Sequence, residues 1–204
     1  MKLQEAIAEL RKQEKRKFAQ TVDAIINLKG IDLKRESVNT VISIPHKTKD
    51  KKVCAFLNNK SSLLDTITKP EFGKYKEKKA LKNLVKNYDF FIASAPLMPL
   101  VATTFGKVLG PAGKMPSPQL GVLAQETDDA IKSVLERISK SIKIRVSEAS
   151  IKIGLGPESM KDEELIENFG AFYRGILNAL PKKQENIKNV LLKFTMTKPV
   201  KVEV

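Results

Sequence analysis

Apolar side chains recur at two spacings along this chain, and the switches between them divide it. Leu3, Ile7 and Leu10 stand at i, i+4 and i+7, the stripe of one helix face, and predict an amphipathic helix over residues 3–17. Phe18 to Leu28 fits either period: Val22, Ala24, Ile26 and Leu28 alternate, while Val22, Ile25 and Ile26 suit a helix. The alternation matches more positions and predicts a strand that stops before Gly30. In Val38 to Pro45, Val38, Thr40, Ile42 and Ile44 face one way, and the proline ends the ladder.

The middle has another character. Val53–Leu57 and Asp89–Ala95 are short continuous apolar runs, the pattern of parallel strands covered on both faces. Helical spacing follows each: Tyr75–Val85, then a helix opened by Pro96 and Pro99 and running to Leu109, then 125–140 after a Gly- and Pro-rich loop over Gly110–Gly121. Strand, helix, strand, helix, helix is the order of a small open α/β layer. Period two returns at Ile142–Val146 and Ser150–Leu155. Leu165, Phe169, Phe172, Ile176 and Leu180 then mark a long helix with Asp162, Glu163 and Glu164 in its first turn and Pro181 at its stop. Asn189–Val204 alternates again as strand.

The first and last thirds match each other around a different middle. The expected fold is therefore α+β with two domains: one discontinuous domain of residues 1–47 plus 142–204, whose strands pair into one sheet, and an inserted α/β domain of residues 48–141. Two adjacent chain crossings join such an insertion and allow hinging.

Charge changes the picture. The 204 residues carry 37 Lys and Arg against 23 Asp and Glu, a net charge of +14, which makes a polyanion the default partner. The surplus is +4 over 1–47, +7 over 48–141 and +3 over 142–204, so it belongs to folded surface and not to a basic tail. The densest run holds Lys74, Lys76, Lys78, Lys79, Lys82 and Lys86 against Glu77. A solvated helix face is the plainer reading of that run, with nonspecific phosphate contacts as its second use.

Several chemistries fall away. A single Cys54 forms no internal disulfide, and one cysteine with one histidine does not make an ordinary four-ligand zinc site. No run approaches the roughly 18 apolar residues of a membrane span, and no secretory leader precedes the first helix, so no membrane partner and a cytoplasmic location are expected. Gly113-Lys114 does not belong to a phosphate-cradling loop, because Val108 and Met115 occupy the places of its first Gly and its Ser or Thr. His46 follows a strand with no nucleophile signature near it, and Asp128 and Asp129 point about 100° apart on a helix. No enzyme and no cofactor are expected. With 6% aromatic residues and no Trp, base stacking is not the main contact, which favours a structured RNA read through backbone, 2′-hydroxyls and shape.

Four collinear stretches carry a family resemblance. Leu109-Gly110-Pro111-Ala112-Gly113-Lys114-Met115-Pro116-Ser117-Pro118 resembles the signature loop of the L-one family of large-subunit ribosomal proteins. Phe18-Ala19-Gln20-Thr21-Val22 with Asn27–Arg35 is similar to the archaeal form of its first strand and turn. Tyr88–Pro99 resembles its middle-domain strand and helix start. Thr195-Met196 and Val200-Lys201-Val202 resemble its Thr-Met-Gly-Pro ending.

The resemblance implies a split α/β RNA-binding domain from both termini and an inserted Rossmann-like domain. It implies binding to large-subunit ribosomal RNA of the mobile stalk and assistance to deacylated tRNA leaving the exit site, by a protein that is a monomer off the ribosome. A translational repressor acting on its own messenger RNA through the same face is the alternative. The residues it assigns to RNA are Lys17, Phe18, Thr21, Thr195 and Met196, with Arg145 the weakest of the set. The chain departs from the pattern at three places. Thr197 replaces a glycine, which is expected to alter close backbone approach. Ser147 and Glu148 stand where a basic residue is usual, and Glu148 is expected to repel phosphate. Ala112 stands where Arg is usual.

Overall fold

The computed structural model describes residues 1–12, 17–32, 38–75, 77–146 and 148–203. The expected helix continuation over 13–16, the Leu33–Arg35 part of the resemblance, Lys76 and Ser147 lie outside them. The chain divides into two compact units, Met1–Lys49 with Lys140–Val204, and Asp50–Ser139.

In the first unit, strand β1 (Thr21–Leu28) is central to an antiparallel sheet. Its order is β10 (Val200–Val202), β9 (Ile187–Phe194), β1, β8 (Ser150–Pro157). The ambiguous run from Phe18 thus resolves as strand, beginning at Thr21. Val22, Ala24, Ile26 and Leu28 are buried while Thr21, Asp23, Ile25 and Asn27 are half-buried, the period-two signature of a sheet with one face on a core. Val22 stands opposite Phe194 and Ile26 opposite Val190, so an N-terminal strand is held directly by a C-terminal one.

Helices α1 (Leu3–Lys12) and α5 (Asp162–Ala179) close this core with Ile7, Leu10, Phe169, Phe172 and Ile176. Arg11 ties the two helices: Nε donates to Asp162 Oδ1 at 2.6 Å, and Nη2 donates to the Met160 carbonyl at 2.7 Å. A separate two-stranded antiparallel sheet joins β2 (Asn39–Ser43) to β7 (Ser141–Arg145). Ser43 pairs with Ser141, and Ile44 N–H donates to the Lys140 carbonyl at 2.7 Å, so the chain leaves and re-enters this unit side by side.

The second unit is a parallel sheet in the order β4 (Asp65–Thr68), β3 (Val53–Leu57), β5 (Phe90–Ser94), β6 (Val122–Leu123). Helices α2 (Lys78–Asn87), α3 (Met98–Leu109) and α4 (Asp128–Ser139) accompany it. Every residue of β3 is buried, as its unbroken apolar run requires. Phe56 is the hub of the core, with ring centroids 5.8 Å from Phe72, 5.7 Å from Phe91 and 4.8 Å from Phe105.

Three local expectations are corrected. Strands β4 and β6 hold four and two residues, too few for a period to register. Helix α2 starts at Lys78 and not Tyr75, because Lys69–Tyr75 is taken by 3-10 turns around the buried Phe72. The terminal strand breaks after Phe194, where the chain turns before β10.

Candidate nucleic-acid interface

The antiparallel register puts the first residue of β1 beside the last of β9, and the loop after β9 turns back across that end. Thr197 forms the turn: its N–H donates to the Phe194 carbonyl at 3.1 Å, and its Oγ1 accepts from Phe194 N–H at 2.9 Å. Among the described residues Lys183 is the one non-glycine with positive φ, so Thr197 sits in ordinary backbone space. This conformation does not require the glycine expected there, and the hydroxyl that replaces it serves as a strap within the turn.

Thr195 closes the β1 side. Its N–H donates to the Thr21 carbonyl at 3.1 Å, and its Oγ1 accepts from Thr21 N–H at 3.1 Å. Oγ1 also lies 3.3 Å from the Thr21 carbonyl as donor. Thr21 through its main chain and Thr195 through main chain and hydroxyl thus hold the strand ends together.

Met196 N–H donates to Gln20 Oε1 at 3.3 Å, and Gln20 is buried, its own carbonyl accepting from Glu158 N–H at 2.8 Å. Gln20 therefore fixes the residue that displays the methionine. That side chain is 63% exposed, and Phe18, three residues before β1, is 53% exposed. Two exposed apolar side chains thus belong to the chain segments that meet at Thr21 and Thr195.

The charges are also placed. Lys193 stands opposite Asp23, and its Nζ donates to the Thr195 carbonyl at 3.1 Å. Burial pushes the Asp23 carboxyl above the usual carboxylate range, and the Lys193 ammonium opposes that shift. On β8, Gly154 faces Asp23, and a Cβ there would lie 3.0 Å from the Thr21 methyl, so the glycine leaves room for the Thr21 side chain.

The structure brings Thr21, Thr195 and Met196 together, with exposed Lys17 and Phe18 leading into the same strand end. Arg145 ends β7, opposite Asn39, on the two-stranded sheet of the same unit. Glu148, expected to repel phosphate, has Lys152 Nζ 3.8 Å from its Oε2. Gln20 and Lys193 contact the same strand end and are not among the residues expected from the sequence. Their contacts with the turn span the length of the chain or depend on its conformation, and only Gln20's place in the family-like stretch gave a hint.

The remaining suspects hold structural posts. His46 Nε2 is 2.7 Å from Glu167 Oε2, and its N–H donates to the buried Asn168 Oδ1 at 2.9 Å, which pins the outgoing chain to α5. Burial, reinforced by the Asp65 charge, pushes the Cys54 thiol up to about 12 against a weaker pull from the Ala55 backbone, so it stays protonated at neutral pH. In the signature loop Gly113 has φ +69°, and Lys114 Nζ donates to the Val85 and Tyr88 carbonyls at 2.8 and 2.7 Å, capping the end of α2. Among the described residues no group of three or more His, Cys, Asp or Glu is placed to hold a metal ion, and no helix is long and apolar enough to cross a membrane.

Fold and face together define a class: a basic two-unit α/β protein that closes one sheet with both chain ends and shows a mixed apolar and hydroxyl surface there. The sequence profile of the ribosomal protein L1p/L10e family matches residues 10–198, and the chain belongs to that family of structural, non-enzymatic ribosomal components. It is similar to the large ribosomal subunit protein uL1 of Thermofilum pendens, 37% identical over 215 residues that cover 98% of this chain and 92% of the relative. The same-named protein of Pyrobaculum aerophilum is 36% identical over 212 residues, covering 98% and 92%. That of Thermococcus kodakarensis is 34% identical over 214 residues, covering 99% and 97%.

Proposed function

We propose that the protein binds a structured stem of large-subunit ribosomal RNA with the end of the β9–β1 pair, as part of the cytoplasmic ribosome's mobile stalk, and there assists deacylated tRNA to leave. The observation that carries this reading is the juxtaposition of Thr21, Thr195 and Met196, strapped to one another and flanked by exposed Phe18. Hydroxyl and main-chain oxygens suit 2′-hydroxyls, Lys17 and Lys193 suit phosphates, and Met196 and Phe18 suit the apolar faces of sugars and bases. The units act as an RNA-binding domain formed by both chain ends and an inserted domain, and the protein off the ribosome is a monomer. A messenger RNA stem of the same shape would occupy the same face.

The test is binding of the purified chain to an isolated stalk stem and to an unrelated RNA duplex across a salt series. Preference for the stem, with affinity falling steeply as salt rises, is expected. Equal affinity for both RNAs would refute a specific stem site, and crosslinking in growing cells would separate ribosomal from messenger targets.

A further inference from the structure

The inserted unit carries a second charged surface that the strand-end site does not use. Helix α2 reads Lys-Lys-Ala-Leu-Lys-Asn-Leu-Val-Lys-Asn and contains no acidic residue. Its Leu81 and Leu84 are buried, whereas Lys79, Lys82 and Lys86 are exposed. At 100° per residue these three lysines fall within an arc of about 60° on the side away from the leucines, over about 10 Å of helix axis.

Lys82 stands three residues from Lys79 and four from Lys86, so it neighbours both. Like charges so placed destabilise a helix, so the row is a cost to the free protein. Several other cations of this unit are engaged: Lys60 and Lys74 pair with Glu71 at 3.4 and 3.9 Å, Lys51 Nζ and Lys114 Nζ donate to main-chain carbonyls at 2.8 Å, and Arg137 Nη2 donates to the Gln119 carbonyl at 2.8 Å. Among the described residues Lys79, Lys82 and Lys86 have neither an ion pair nor a hydrogen bond from their side chains.

We infer that this lysine row on α2 is a second RNA contact, one that neutralises backbone phosphates without reading sequence. Among the described residues, the other exposed residues of α2 and its N-cap are Asn83, Asn87 and Glu77, none a large apolar side chain to enter a membrane interface. Three ammoniums in a row on one rigid face suit a regular polyanion, and binding it removes the repulsion within the row. The inference rests on the protein being an RNA binder but not on the strand-end site being the specific one.

The test compares the full chain with a Lys79→Gln/Lys82→Gln/Lys86→Gln variant on two probes, the stalk stem and an unrelated RNA duplex of equal length. The slope of log affinity against log salt should become shallower by about 2–3 on both RNAs, close to one for each phosphate no longer neutralised. Stem preference should persist, since sequence-blind contacts weaken both probes alike. A Lys-to-Arg triple variant should keep the original slope. The glutamine variant relieves like-charge repulsion, so its thermal midpoint without RNA should hold or rise, which separates weaker RNA binding from impaired folding. An unchanged slope on the unrelated duplex would overturn the inference. Loss of stem preference in the unsubstituted chain would instead refute the strand-end site and leave the slope comparison intact.

Discussion

Met196 and Thr195 are adjacent, yet the structure gives them different work, and paired substitutions separate the two. Met196 is 63% exposed and only its main chain is tied down, through Gln20 Oε1 at 3.3 Å. Met196→Ala should therefore leave the urea unfolding free energy within about 0.5 kcal/mol of the unsubstituted chain. Full burial of a methionine side chain is worth about 1.5–3 kcal/mol. With most of that surface still bare, RNA contact can bury enough for about 1–2 kcal/mol, a loss of roughly 5–30-fold in stem affinity on truncation.

Thr195→Val keeps the shape and removes the oxygen that accepts from Thr21 N–H at 3.1 Å. Water replaces that partner at an exposed site, so stability should fall by about 0.5–1.5 kcal/mol. Stem affinity should fall as well, since the strap that aligns the two strand ends is gone. Urea titration and filter binding on the same preparations read both quantities. A methionine variant that loses more than about 1 kcal/mol of stability, or a valine variant that loses none, would refute this division of labour. Unchanged stem affinity in Met196→Ala would remove the methionine from the interface.

Two further outcomes follow from packing and titration. A Cβ at Gly175 on α5 would lie 2.6–2.8 Å from three carbons of the buried Ile42, so Gly175→Ala should lose about 1–3 kcal/mol in urea unfolding, outweighing the ~0.5–1 kcal/mol helix gain, and Ile42→Val should restore part of it. For Glu126, burial alone would raise the carboxyl, but hydrogen bonds from Ser94, Asn58 and Asn59 outweigh it and hold the pKa below its usual 4.5. A carboxyl depressed in the folded state stabilises above its unfolded pKa and loses that contribution as pH falls through the folded value. Glu126→Gln should accordingly be less stable than the unsubstituted chain at pH 7, with the gap in urea midpoints closing as the pH drops below that usual value; a gap that stays constant would contradict the assignment.

What the sequence reveals follows the range over which each signal acts. Strand β1 is readable because its burial alternates residue by residue, and β3 because all five of its side chains are apolar and enclosed. Helix α5 is readable from its stripe and its acidic first turn. Strands β4 and β6 are not, since four and two residues leave no period to detect, and both exist because β3 and β5 offer them ladder partners. The site divides similarly. Thr21, Thr195 and Met196 carry a family likeness that local sequence preserves. Gln20 becomes a site residue only when a chain segment 176 residues away delivers an N–H to it. Arg145 shows the converse, a residue marked by likeness whose strand belongs to another sheet from β1 and β9.

The parallel layer presents a further puzzle that its side chains resolve. In such sheets, ligands bind at the carboxyl ends of the strands where the order reverses, and here that point lies between β3 and β5. The last residue of β5, Ser94, and the residue after β3, Asn58, meet there, and a polar cradle of this kind suits an anion. In this protein the anion is its own. Glu126 accepts from Asn58 N–H at 3.0 Å and Asn58 Nδ2 at 2.7 Å, and it is hydrogen-bonded by Ser94. A tethered carboxylate competes with any dissolved phosphate at very high effective concentration and repels it besides. The position where the layer's topology would favour a nucleotide is therefore satisfied internally. A layer resembling a nucleotide-binding sheet is thus consistent with partners met on the unit's surface, as inferred above for the lysine row.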